Sequence, residues 1–399
     1  MKIEEAVRSL KEEIKDMAVR EAESVSLIEA LGRVLAEDVR AAAPVPDFDR
    51  SAMDGYAVRA ADVADAGREH PAILEVIGEL MAGDDRDIAA REGTAVRIMT
   101  GAAIPQGYDT VVMQEDTDLG MDRVFIYRSA ECGMNVSLAG EDIRAGERVL
   151  EAGCLLQPAH LGVLASLGMD RVQVRKGFCT SIISTGSEVM LPGQEKRRNC
   201  IYNNSAVIMA AVISSMGLRA VDPEVVRDDV SLIRSAIEKA ADSSVIITTG
   251  GVSVGKRDLM PFVLEELGAR ILFRGVDIQP GTPTIGAIWD GKLLLCLSGN
   301  PFAALANFEV YFPEAAAVIM GCPALAPRIE EAVMDCDYNK VNRHTRLIRA
   351  GVKLGRVSLP SSVHFSSAVS NLTQCNCLIE LEAGRSLSAG DRVRIRYLT

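Results

Sequence analysis

The segment Val245-Ile246-Ile247-Thr248-Thr249-Gly250-Gly251-Val252-Ser253-Val254-Gly255-Lys256-Arg257-Asp258 is the one around which the rest of the chain is organised. Val245 to Thr249 are apolar or β-branched with no polar alternation, the pattern of a strand buried on both faces of a parallel sheet. The run breaks at Gly250-Gly251, Gly255 follows, and beyond Asp258 the apolar residues Leu259, Phe262, Val263 and Leu267 recur at helical spacing. A strand, a glycine loop and a helix start aim backbone N–H groups and a helix dipole at one place, where an anion can sit. The loop matches neither GxxxxGK[ST] nor GxGxxG, which sets aside a Walker NTPase and a dinucleotide site. A Gly-Gly turn after a strand is, on its own, more often only a turn.

Outward from this segment, residues 178–320 alternate between strand and helix patterns. Strands are expected at Ser181–Thr185, Val245–Thr249, Ile271–Phe273 and Leu293–Leu297, and helices at Ala206–Met216, Val230–Ala241, Leu259–Leu267 and Phe302–Val310. That alternation predicts a doubly wound α/β domain. Three of its strands end in glycine loops: Thr185-Gly186-Ser187-Glu188, Thr249-Gly250-Gly251 and Leu297-Ser298-Gly299-Asn300-Pro301. Strand carboxyl ends share one edge of a parallel sheet, so the loops should meet at one crevice with Glu188, Asp258 and Asn300 as neighbours. Pro301 suits the first turn of a helix whose N-terminus then faces the crevice. Carboxylates beside phosphate-cradling amides are the usual way to hold Mg²⁺ against a substrate phosphate. The bland alternatives stay open here: Asp258 and the pair Asp228-Asp229 are equally placed to cap the helices that follow them.

The flanks read differently. Ile3, Val7, Leu10, Ile14 and Met17 form one helical stripe. Ser26 to Ala36 is expected to be a second helix, with Ser26 and Glu29 as a capping box. Ala41–Asp49 (AAAPVPDFD) is a proline-punctuated linker, and residues 50–135 consist of short alternating segments that predict a small β-rich domain. Residues 136–176 return to short strands plus one helix, Ala159–Leu167. Residues 321–399 have few helix signals and predict a small C-terminal β-barrel or sandwich. A net charge of -12 over 399 residues argues against broad nucleic-acid binding. The nine cysteines include no CxxC, which disfavours a zinc site, and with no signal peptide also disulfides. No run of about 18 apolar residues is evident, so no membrane span is expected and a reducing cytoplasm is the default. The four histidines are isolated.

Seven segments in order carry a resemblance: PVPDFDRSAMDGYAV (44–58), VRIMTGAAIP (96–105), GMNVSLAGEDI (133–143), STGSEVMLPG (184–193), TTGGVSVGKRD (248–258), QPGTP (279–283) and LSGNP (297–301). From about residue 3 to the C-terminus the chain resembles the molybdopterin molybdenumtransferase family, MoeA in bacteria and the gephyrin E-domain in animals. The resemblance implies four domains: 1–24 with 177–318 (molybdopterin-binding α/β), 25–46 with 136–176 (linking α+β), 47–135 (β-rich, carrying MDGYA and MTGA) and 319–399 (C-terminal β-barrel). It implies a Mg²⁺-dependent reaction in which molybdate, or tungstate, enters adenylylated molybdopterin and AMP leaves. It also implies a homodimer whose active site joins the α/β domain of one subunit to the MDGYA domain of the other. A molybdopterin adenylyltransferase and cofactor-accepting apoenzymes are the implied protein partners.

By the same resemblance, Glu188, Asp228 and Asp258 govern Mg²⁺ and the phosphoanhydride, and Gly250, Gly251, Ser253 and Gly255 cradle the pterin phosphate. Asp54 and Thr100 reach in from the partner subunit. Ser298, Gly299, Asn300, Pro301 and Pro283 complete the pocket, with Ser366 and Arg343 or Arg346 for the oxyanion. Two departures stand out. The family's KPGKP is Gln279-Pro280-Gly281-Thr282-Pro283 here, which retains hydrogen-bond donors for an oxyanion but loses the charge-assisted contacts. The family's LPGNPVS reads LSGNPFA (297–303). An active transferase with an altered oxyanion pocket is the first expectation; a non-catalytic paralogue that carries molybdopterin is the alternative.

Overall fold

The computed structural model describes residues 1–86, 88–252, 259–360 and 367–399. They form two compact units, one of residues 1–37, 152–161 and 171–399 and one of residues 38–151 and 162–170.

In the first unit, Cys179–Thr185, Val245–Thr249 and Lys292–Leu297 lie side by side as parallel strands. All five residues of Val245–Thr249 are buried, as the unbroken apolar and β-branched run requires. Alternate residues feed two cores. Ile182, Val245, Ile247, Leu293 and Leu295 pack with the helices Ile3–Glu13, Asn204–Ser215 and Pro301–Ile319. Ile183, Ile246, Leu294 and Cys296 pack on the opposite face with Val230–Lys239 and Met260–Glu266. The sheet is therefore doubly wound, and each large apolar side chain it buries is worth about 1.5–3 kcal/mol against exposure.

Three strands of this sheet escaped the sequence expectation: the short Arg219–Ala220 and Glu224–Val226, both parallel to Cys179–Thr185, and Ile285–Trp289. Ile285–Trp289 pairs antiparallel with both Lys292–Leu297 and Arg270–Arg274, so the sheet is mixed at this edge. Its turn is Asp290-Gly291, both at positive φ (48° and 71°), the local chemistry of a tight hairpin. The helix expected over Ser26–Ala36 does not form. Ser26 Oγ does donate to Glu29 at 2.6 Å, but the contact closes a turn, because Ala22–Ser26 is taken up by antiparallel pairing with Arg171–Arg175. The last helix is also longer than expected: Pro301–Ile319 continues through Pro313. By length and composition it would pass for a membrane span, contrary to expectation, yet 89% of its apolar window is buried as a core helix.

Toward the C-terminus, Thr345–Lys353, Arg356–Ser358, Ile329–Met334, Arg392–Tyr397 and Cys377–Leu381 pair in that order, and Cys377–Leu381 pairs back onto Thr345–Lys353. The ring closes as a five-stranded barrel, which leaves no free sheet edge. In the second unit a five-stranded sheet runs Thr110–Met113, Gly55–Val58, Thr94–Ile98, Ala72–Leu80, Arg123–Ile126.

Candidate active site

The three parallel strands end together: Thr249 Oγ1 and Asn203 Nδ2, at the cap of Asn204–Ser215, each donate to Ser184 Oγ at 2.8 Å, and the Gly250 N–H donates to Leu297 O at 3.0 Å. Above them opens a cavity of about 1170 Å³. Its floor is backbone. A Cβ at Gly250, where φ is +94°, would lie 2.5 Å from Thr185 Oγ1 and 2.7 Å from Thr185 O. At Gly299 a Cβ would stand 3.4 Å from the Gly250 Cα, so two glycine loops meet main chain to main chain. Thr185 Oγ1 is buried in this wall and has no hydrogen-bond partner among the described residues. A buried hydroxyl left unpaired costs about 1–3 kcal/mol.

Of the site residues expected from the sequence, Glu188, Asp228, Gly250, Gly251 and Pro283 line this cavity. So do Ser298, Gly299, Asn300, Pro301 and Arg346. Arg343 is not among the lining residues, which makes Arg346 the arginine at the cavity. Ser253, Gly255, Asp258 and Ser366 lie outside the described residues. The cap question at Asp228-Asp229 resolves in favour of Asp229, whose Oδ1 accepts the Leu232 N–H at 3.0 Å. The Ser231 hydroxyl, then the Leu232 amide, hold the Asp229 carboxyl below its usual range, and Asp228 faces the cavity. Asn300 occupies the cap position of Pro301–Ile319 but makes no side-chain cap bond, so that helix presents bare N–H groups.

The Gln279–Pro283 segment is anchored from behind. Asn307, fully buried, accepts from Thr284 Oγ1 at 2.9 Å and donates to Ala303 O at 2.8 Å and Pro280 O at 3.3 Å. Gly281 (φ +98°) allows this approach, since a Cβ there would fall 1.8 Å from Asn307 Nδ2. The Thr282 hydroxyl donates to Ile278 O at 2.6 Å. Its proton is thus committed to the backbone, and Thr282 is not the oxyanion donor that its side chain suggests.

Sequence reasoning missed Arg349. It is 1% exposed, stacks its guanidinium 3.8 Å from the Phe302 ring centroid, and donates to Asn371 Oδ1 at 2.6 Å and to Ala368 O. Burial lowers its pKa from the ordinary arginine value. Arg349 thereby ties the Ser367–Asn371 segment to the start of the long helix, and both Ser367 and Phe302 line the cavity. The available signal was a cation inside the apolar run Leu347-Ile348-Arg349-Ala350.

In the other unit, Asp54 Oδ1 accepts both the backbone N–H and the hydroxyl of Thr100, each at 2.7 Å. These bonds hold the Asp54 carboxyl below its ordinary value, with Arg97 assisting. Gly55 is required beside it, because a Cβ would lie 2.0 Å from Val112 O. The two motifs MDGYA and MTGA are thus one local structure.

Comparison with known proteins places this geometry. Residues 1–168 match the family model for the MoeA N-terminal region (domain I and II), and residues 181–317 match the probable molybdopterin binding domain. The chain is 36% identical to the molybdopterin molybdenumtransferase of Staphylococcus epidermidis over 97% of its own length and 94% of the relative's. It is 35% identical to that of Staphylococcus aureus, over 93% and 90%. The crystal structure of the molybdopterin biosynthesis moeA protein from Pyrococcus horikoshii superposes with a TM-score of 0.85 at 28% identity, covering 100% of this chain and 99% of that one. With its paired MDGYA and MTGA motifs, its molybdopterin-type α/β domain and its closed barrel, the chain belongs to the molybdopterin molybdenumtransferase (MoeA) family and is a transferase of molybdenum cofactor biosynthesis.

Proposed function

We propose that this chain inserts molybdate, or tungstate, into adenylylated molybdopterin with release of AMP. The observation that carries this is the crevice at the strand ends, where the Gly250-Gly251 and Ser298–Pro301 backbones face one cavity with Glu188 and Asp228 on its wall. Backbone amides converging at a sheet's carboxyl edge suit phosphate oxygens. The backbone fixes the substrate by its phosphate, and the bare helix N-terminus at Pro301 stabilises negative charge as the phosphoanhydride opens.

Mg²⁺ belongs to this proposal. Two carboxylates plus substrate phosphates are a sufficient ligand set for an ion that keeps several of its waters, and Glu188 and Asp228 are the described residues that fit. When bound, the ion would neutralise charge on the phosphoanhydride. Arg346 supplies positive charge for the incoming oxyanion, and Arg349 holds Ser367 and Phe302 in place. Asp54 and Thr100 are proposed to act in the same reaction, and Ser253, Gly255, Asp258 and Ser366 to complete the pocket. A cytoplasmic homodimer supplied by an adenylyltransferase is the proposed working form, and light scattering tests the dimer. The decisive experiment incubates the purified protein with adenylylated molybdopterin, Mg²⁺ and molybdate or tungstate. AMP release that requires the oxyanion is expected. Tight substrate binding with no AMP would replace the transferase with a carrier.

A further inference from the structure

The loop 191–200 leaves and rejoins the cavity wall through a short parallel pairing, Val189 with Ile201 and Met190 with Tyr202. The Ile201 N–H donates to Glu188 O and the Asn203 N–H to Met190 O, both at 2.8 Å. Tyr202 lines the cavity and is 40% exposed, and its hydroxyl donates to Gln194 O at 3.1 Å. The ring is thus fixed at both ends and presents a flat face. What covers that face is a flexible cation: the Lys196 ammonium sits 4.5 Å from the ring centroid, at the head of the exposed run Lys196-Arg197-Arg198.

An ammonium over an exposed tyrosine is weakly held, whereas stacking of a heteroaromatic base on an aromatic side chain is stronger and needs a rigid ring of this kind. The cavity has a matching need for charge. Among the described residues that line it Arg346 is the cation, and the run Lys196-Arg197-Arg198 at the rim is a further source of positive charge. A ligand with a fused heteroaromatic ring and a phosphate meets both conditions: its ring displaces the ammonium from Tyr202, and the displaced ammonium turns to its phosphate.

We propose that Tyr202 is the stacking platform for a heteroaromatic ring of the substrate and that Lys196 leaves this ring to pair with the substrate's phosphate. This rests on the function proposed above. The chemistry is shared by two parts of that substrate, the adenine and the pterin, and the test separates them.

Calorimetric titrations of the full chain and its Tyr202→Phe, Tyr202→Leu and Lys196→Met variants would use AMP, adenosine, ribose 5-phosphate and, anaerobically, molybdopterin. Tyr202→Leu, which loses the π face, should weaken the ring-bearing ligand about five- to a hundredfold; Tyr202→Phe, which keeps the face and loses the hydrogen bond to Gln194 O, should weaken it less, with ribose 5-phosphate unchanged by either. Loss for AMP assigns the platform to adenine, and loss for molybdopterin assigns it to the pterin. Lys196→Met should weaken the phosphate-bearing ligand and leave adenosine as tight or tighter. Unchanged affinity of Tyr202→Leu for both AMP and molybdopterin overturns the platform. Equal losses for AMP and adenosine in Lys196→Met overturn the role of the lysine. Wild-type protein that binds neither AMP nor molybdopterin would instead remove the proposed function, and this site with it.

Discussion

Glu309 makes stability depend on pH in a direction opposite to that of most carboxylates. It lies within Pro301–Ile319, is 1% exposed, and accepts the N–H and the hydroxyl of Thr399 at 3.1 and 3.0 Å. Burial raises its pKa from 4.5 to about 7, against the opposing pull of Thr399 and Arg396. Between those values the folded chain holds a proton that the unfolded chain has released, so stability falls as pH rises. The difference of 2.5 between those values, at about 1.4 kcal/mol per unit, makes the loss about 3 kcal/mol between pH 4 and pH 8. Glu309→Gln keeps the shape and an acceptor for Thr399 but cannot ionise. Wild type and variant should be close at pH 5, after about 1 kcal/mol for the altered hydrogen bonds, and the variant should be the more stable at pH 8. Thermal or urea midpoints of both proteins from pH 5 to 8 read this out as a gap that widens with pH. A chain of this size need not unfold in two states, so the gap between the proteins is the quantity to follow. A gap that stays constant across the range would refute a buried, neutral Glu309.

Three further outcomes are expected. Gly250→Ala drives a Cβ into Thr185 and should lower AMP release by about tenfold or more, measured in the turnover assay, with little change in fold by circular dichroism. Asp54→Asn loses the charged acceptor that orients Thr100, so kcat should fall by about ten- to a hundredfold. Since Asp54 is held below its ordinary value, it is ionised throughout pH 5–8, and the ratio of wild-type to variant rates should be flat there. Asn307→Ala strips a buried anchor from Thr284, Pro280 and Ala303 and should cost about 2–4 kcal/mol in a denaturant titration; an unchanged midpoint would remove its anchoring role.

Much of the site was legible because its chemistry is local. An unbroken β-branched run ending in Gly250-Gly251 specifies a buried strand and a turn whatever surrounds it, and the same holds for Thr185-Gly186 and Ser298-Gly299. Where competition is long-range, local signals mislead. Ser26 and Glu29 make the hydrogen bonds of a capping box, yet strand pairing across some 150 residues of chain takes Ala22–Ser26 out of any helix. Ile285–Trp289 was passed over although Asp290-Gly291 marked its hairpin.

By itself the sequence determined the doubly wound domain and its three glycine loops, because period and turn chemistry act over a few residues. Only the tertiary structure decided that Asp229 rather than Asp228 caps the helix, that Arg346 rather than Arg343 lines the cavity, and that the Thr282 hydroxyl is spent on Ile278 O. It alone placed Arg349 against Phe302 and Lys196 over Tyr202. Each of these depends on which groups burial and packing bring within hydrogen-bond or van der Waals reach, and sequence spacing carries no distance between segments far apart in the chain.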